Sequence, residues 1–120
     1  MDAEELKKRT KQFALSVIKA VEALPSTKTG NILGNQLLRS ETSVGANYRS
    51  ACRGRSKPDF ASKIGIVVEE ADESLYWMEL LVESGIVPND RLVTLMQEAG
   101  ELTAIFTASA ITAKKNLTTK

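Results

Sequence analysis

Two clusters of lysine and arginine in the first half of the chain carry the side chains needed to bind phosphate groups. They comprise Lys7, Lys8, Arg9 and Lys11 near the N-terminus, and Arg49, Arg53, Arg55 and Lys57 further along. The planar guanidinium of arginine donates two parallel hydrogen bonds to a phosphate, and lysine adds a point charge. No aromatic-rich RNA-recognition motif accompanies the clusters. All of these residues except Arg9 are therefore candidates for contacts to the backbone of a polyanion such as RNA, with weak sequence preference.

The charge of the chain is unevenly distributed, although its net value is only +1. Residues 1–58 carry a formal charge of +6, and residues 59–120 carry −5. The basic side chains either form an exposed polyanion-binding surface or pair with the acidic half, within or between subunits. We expect pairing for Arg39 and exposure for Arg53, Arg55 and Lys57.

Residues suited to catalysis or metal binding are scarce. The chain has no histidine, so the commonest general base and metal ligand is missing. Its single cysteine, Cys52, has no histidine to activate it, and we expect it to pack as a small apolar side chain. Neither a phosphate-binding loop nor a dinucleotide-binding motif is present. The sequence predicts a non-enzymatic protein with no cofactor, no metal and no small-molecule substrate.

Four segments with helical spacing of apolar residues would position these side chains. The predicted helices span residues 3–24, 31–54, 57–84 and 89–115. Short connections between helices of this length favour an all-α, antiparallel up-down-up-down four-helix bundle. One such domain accounts for residues 1–120.

The sequence also indicates the cellular location of the protein and the behaviour of its C-terminal tail. No apolar run is long enough to span a membrane, and the N-terminus lacks the apolar core of a signal peptide. A lone cysteine cannot form an internal disulfide, so we expect a cytoplasmic protein. The tail over residues 116–120 is expected to fray.

The second predicted helix carries a run of small residues. Ser40, Ser43, Gly45 and Ala46 leave room for a neighbouring helix to approach closely. A glycine inside a helix is about 1 kcal/mol less favourable than alanine, so Gly34 and Gly45 indicate tight packing or local bending.

The third predicted helix has two apolar sides. The wider side suits the bundle core, and a second group lies elsewhere on the helix. Its members, with the neighbouring carboxylates, are Ile66, Glu70, Glu73, Trp77, Leu80 and Leu81. They form either the edge of a wide core or a homo-oligomer interface in which tryptophan is a favoured anchor.

Several motifs resemble a known family. They include residues 36–40 (QLLRS), 43–49 (SVGANYR) and 70–81 (EADESLYWMELL). Together with the helix ending near residue 116, they are similar to the bacterial four helix bundle proteins encoded in intervening sequences of large-subunit ribosomal RNA genes. The resemblance covers about residues 6–116.

This resemblance implies a bundle that assembles as a homopentamer. It also implies kinship with the accessory variability proteins of diversity-generating retroelements, which bind RNA and a nucleoprotein partner, a reverse transcriptase, through basic surfaces. This chain is closer to the intervening-sequence branch, and its nearly neutral net charge departs from the basic relatives. Two hypotheses follow. One is a pentamer that binds RNA or a nucleoprotein through the basic clusters, and the other is an interaction scaffold with no affinity for nucleic acid.

Overall fold

The computed structural model describes residues 1–118 and contains four long helices. They are α1 (Ala3–Glu22), α2 (Lys28–Cys52), α3 (Lys57–Glu83) and α4 (Asn89–Thr118). The predicted all-α fold with four helices is therefore confirmed. None of the described helices is both long enough and apolar enough to cross a membrane.

Side-chain caps fix where three helices begin. The carboxylate of Asp2 accepts from the backbone N–H of Glu5 at 2.8 Å, and the hydroxyl of Ser56 accepts from Asp59 at 3.2 Å. Thr27 accepts from Gly30 at 3.0 Å, so α2 begins three residues earlier than the pattern of apolar residues predicted. Each cap satisfies one of the backbone donors that have no partner in the first turn.

Each helix packs against its neighbours in chain order, and α1 also contacts α4. Among the described residues, neither diagonal pair of helices makes backbone-level contact, which is the arrangement of an up-down-up-down bundle. The bundle measures 53 × 23 × 21 Å. The helices α1 and α4 approach each other least closely of the four neighbouring pairs.

Small residues bring α2 close to both neighbours, as predicted. A side-chain carbon at Gly45 would lie 3.5 Å from the hydroxyl of Thr10 on α1. On the other side of α2, the buried hydroxyls of Ser40 and Ser74 are 3.1 Å apart. The Ser40–Ser74 pair satisfies two polar groups inside the core, where unpaired ones would be costly.

The C-terminal part of α4 extends past the start of α1. Arg9 on α1 pairs with Glu98 and Glu101, so the first residue of α1 lies near the level of residues 104–107. Beyond that level α4 continues to Thr118, a further 11 residues or about 16 Å. The prediction that the tail frays from residue 116 is wrong up to Thr118, and its last two residues lie outside the described range.

Candidate nucleic-acid interface

Helices α1 and α2 bring residues of both basic clusters to one face of the bundle. A groove of about 470 Å³ lies between them. Its basic lining residues are Lys7, Lys8, Lys11, Arg49 and Arg53. Its floor includes Thr10, Ala14 and Gly45, whose small size keeps the two helices close. The structure therefore unites five candidate residues that are distant in the sequence.

A second groove of about 420 Å³ continues this face toward the start of α3. It shares Arg49 and Arg53 with the first groove and adds Arg55 and Lys63. We call the seven cations of the two grooves the basic surface. Lys63 was not among the predicted binding residues, although its position one turn after Asp59 places it beside the α2–α3 connection.

Most cations of the basic surface lack an acidic partner. Lys7 pairs with Glu4 at 3.0 Å, and Lys63 pairs with Asp59 at 3.3 Å, both at partly exposed positions. Within residues 1–118 no ion pair involves the remaining five, which are Lys8, Lys11, Arg49, Arg53 and Arg55. Exposed pairs contribute about 0–1 kcal/mol, so a phosphate can displace the two that exist.

The end of α2 is a favourable place for these arginines. Arg49 lies in the last turn, and Arg53 is the residue that ends the helix. The helix dipole places partial negative charge there, which stabilises nearby cations by about 0.3–1 kcal/mol each. Their spacing of four residues places both guanidinium groups on one side of the helix.

Two predicted basic residues lie elsewhere. Lys57 faces a separate cleft beside the end of α4. Arg9 points away from its neighbours in sequence and binds α4, with Nη2 2.6 Å from a carboxylate oxygen of Glu98 and 3.1 Å from Glu101. These hydrogen bonds raise the pKa of Arg9 above its usual value. The placement of Arg9 with the other cations of the N-terminal cluster was therefore wrong.

Two acidic side chains of α3, Glu70 and Glu73, contact α2 outside the basic surface. Arg39 binds the carboxylates of Glu70, at 3.4 Å, and Glu73, as predicted for this arginine. The indole N–H of Trp77 donates to the same Glu73 oxygen at 3.2 Å. Burial, followed by repulsion from Glu73, raises the pKa of Glu70. We call this group the Arg39 network.

Exposed apolar side chains accompany the Arg39 network on α3. Ile66 is 41% exposed and Tyr76 is 52% exposed, while Trp77 and Leu80 are half-buried. Leu81 differs from the prediction, because it is fully buried in the core of the subunit and is not available on an outer face. The predicted second apolar side of α3 therefore keeps three members, Ile66, Trp77 and Leu80, beside the carboxylates of Glu70 and Glu73.

One charged residue in the core was missed. Glu41 is fully buried, and neither carboxylate oxygen has a hydrogen-bond partner within the described residues. Burial raises its pKa to about 8. Its spacing indicates burial, because position 41 lies four residues after Leu37 and three before Val44, in the apolar stripe of α2.

No group of three or more histidine, cysteine or carboxylate residues that could hold a metal ion occurs in residues 1–118. Cys52 is half-buried and packs against the apolar core. The chemistry available on the basic surface is therefore that of fixed positive charge and hydrogen-bond donation.

Comparisons with known proteins agree on one family. The family model described as 23S rRNA-intervening sequence protein matches residues 4–108. A crystal structure at 1.70 Å of a protein of unknown function, from the S23 ribosomal protein family of Bacteroides thetaiotaomicron VPI-5482, has a TM-score of 0.84 and 27% identity. The similarity covers 92% of this chain and 98% of that one. A comparison with curated proteins gives no match. All seven cations of the basic surface fall inside the family match.

Proposed function

We propose that this chain, which belongs to the 23S rRNA-intervening sequence protein family, binds the phosphate backbone of RNA and is not an enzyme. The observation that carries the proposal is the convergence of seven cations on one face, five of them without an acidic partner. An isolated charge run is usually a solvated helix face. Here three helices and the α2–α3 connection contribute to a single concave surface, which concentrates positive potential where a strand can lie.

The contacts of this surface are suited to phosphates. Arginine and lysine in a groove follow a charged backbone, and each phosphate that they neutralise releases counterions. The grooves offer few groups for reading base edges, so this surface fixes the position of a strand without selecting its sequence. Binding should therefore depend steeply on salt.

The first prediction concerns salt dependence. Arg49→Gln with Arg53→Gln should weaken RNA binding at least tenfold at low salt, because a hydrogen bond to a charged group contributes about 1.5 kcal/mol or more. With single-stranded RNA, the slope of log affinity against log salt should become shallower by about 0.7 for each phosphate that the variant no longer neutralises. Gel-shift titrations over a series of salt concentrations measure both quantities.

A matched control for this experiment is Lys28→Gln with Arg91→Gln. Both residues are exposed, lie in the first turns of α2 and α4, and are outside the basic surface. The control removes the same charge, so it separates the effect of position from that of net charge. Failure of the wild type to bind at low salt would contradict the proposal and favour a scaffold without nucleic-acid affinity. An equal drop in affinity in the two variants would show that the groove is not the binding site.

The proposal includes self-association, with five subunits as the resemblance described above implies. Exposed Ile66 and Tyr76 beside the Arg39 network support an interface with an apolar centre and a polar rim. A ring of subunits would repeat the basic surface, and several weak phosphate contacts would then act together.

The second prediction tests this assembly. Ile66→Glu should dissociate the oligomer, because it places a charge within the proposed interface, while the isolated bundle should change little since the side chain is 41% exposed. Val93→Glu is the control, since Val93 is 49% exposed on α4. Light scattering coupled to size exclusion should give about five chains for the wild type and the control. A monomeric wild type at micromolar concentration would refute the assembly.

A further inference from the structure

A second concave site lies next to the basic surface. It is a cleft of about 600 Å³ between the first turns of α3 and the last turns of α4, and we call it the terminal cleft. It exists because α4 extends beyond the start of α1, so no third helix covers this part of α3 and α4. Its volume falls in the range of about 300–1,000 Å³ that is typical of small-ligand sites.

The lining of the terminal cleft combines three kinds of group. Phe60 and Ala108 contribute apolar surface, and Thr112 and Asn116 contribute polar side chains on the facing helix. Arg55 and Lys57 supply positive charge at the α2–α3 connection, and no ion pair of the described residues involves either of them. An aromatic ring, hydrogen-bonding groups and cations together match the parts of a nucleotide, namely base face, base edge and phosphate.

Arg55 connects the two sites. It lines both the terminal cleft and the second groove of the basic surface. A strand whose phosphates follow the basic surface therefore reaches the mouth of the cleft. The acidic side chains that line the two grooves are Glu4, which pairs with Lys7, and Asp59, whose carboxylate binds Lys63 and accepts from the backbone N–H of Arg55.

We propose that the terminal cleft accepts one unstacked base of single-stranded RNA, which packs against Phe60 while Arg55 and Lys57 bind the flanking phosphates. This inference rests on the proposed function and deepens it, because it makes the unpaired nucleotide the preferred ligand. Stacking on an aromatic side chain tolerates any base, since every base has a π-face. Duplex RNA keeps its bases stacked and paired, so it can use only the basic surface.

The test compares two single-stranded RNAs of equal length and charge, one with ordinary nucleotides and one in which every base is absent. The full-length wild type should bind the base-containing strand about 5- to 150-fold more tightly, the range that one aromatic stack contributes. Phe60→Leu removes the aromatic face and keeps an apolar side chain beside the core, and Ala108→Leu fills the cleft from an exposed helical position. Both variants should lose the preference and keep the affinity for the strand without bases.

The outcomes separate this inference from the proposed function. Equal binding of the two strands by the wild type would overturn the terminal cleft as a base site and leave phosphate binding by the basic surface intact. No binding of either strand at low salt would overturn both. A preference that survives in both variants, with folding confirmed by circular dichroism, would place the base elsewhere and also overturn the inference.

Discussion

Replacing Glu41 by methionine is expected to stabilise the bundle, by an amount that grows as the pH rises from about 5 to about 8. Burial raises the pKa of Glu41 from its ordinary value of 4.5 to about 8 in the folded protein. In this pH range the unfolded chain has already released the proton that the folded state still holds. The free energy of unfolding of the wild type therefore falls as pH rises, and the fall ends above the folded pKa.

The size of this effect follows from the shift. Each pKa unit corresponds to about 1.4 kcal/mol, so the whole shift is worth roughly 5 kcal/mol at most. Methionine has a similar length and no charge, so it removes the contribution of Glu41 to the pH dependence. Denaturant unfolding at several pH values measures the difference between the two proteins.

Glu41→Gln is the informative companion variant. Glutamine cannot ionise, so this variant should also lack the contribution of Glu41 to the fall of stability between pH 5 and 8. It leaves polar atoms buried without partners, and these cost about 1–3 kcal/mol, so it should be less stable than the methionine variant. A wild type whose stability does not fall with pH over this range would show that the Glu41 carboxylate has a partner or access to water.

Phe106→Ala is expected to lower the free energy of unfolding by about 3–5 kcal/mol, a large part of the stability of a typical domain. Phe106 on α4 is fully buried, and its ring centre lies 5.2 Å from that of Tyr48 on α2. Because α2 and α4 are diagonal helices, this pair of rings fills the middle of the bundle. Alanine would leave a cavity where all the helices meet.

Urea unfolding with Phe106→Leu as a control distinguishes the effect of removing volume from that of removing the aromatic ring. Leucine keeps most of the apolar volume and should cost much less than alanine. A double-mutant cycle with Tyr48→Leu should give a coupling energy of about 0.5–1.5 kcal/mol, the contribution of an aromatic pair beyond its buried area. A cost of under about 1 kcal/mol for Phe106→Ala would mean that the surrounding helices close around the gap.

The periodicity of the sequence was sufficient for the helices and most of the core. The buried stripe of α2 through Leu37, Val44 and Tyr48 can be read from the sequence, because apolar residues at helical spacing leave one face to bury. The start of α2 was missed, since Thr27 sets it through a cap and carries no periodic signal. Leu81 was misplaced because a helix with apolar residues on two sides does not reveal which side faces its own bundle.

The candidate site was only partly predictable for a related reason. Composition showed the basic clusters, but the groove depends on the level at which α1 lies against α2, where Gly45 contacts Thr10. The direction of Arg9 depends on acidic residues of α4 that lie about ninety positions away. The terminal cleft depends on the unequal lengths of α1 and α4. Such features depend on how two helices pack together, and the sequence of one helix alone does not predict them.

The helices α1 and α4 pack against each other less extensively than the other neighbouring pairs do, so α1 should be the first helix to detach from the bundle. Arg9 is the ionic link between these two helices within the described residues, and it can break without disturbing the packing among α2, α3 and α4. Proteins open in cooperative units of unequal stability, and α1 is the least tightly packed unit here. Its release would carry Lys7, Lys8 and Lys11 away from α2. A ligand that contacts both α1 and α2 in the groove binds only the state in which the two helices are packed together. By mass action, such a ligand stabilises the packed position of α1.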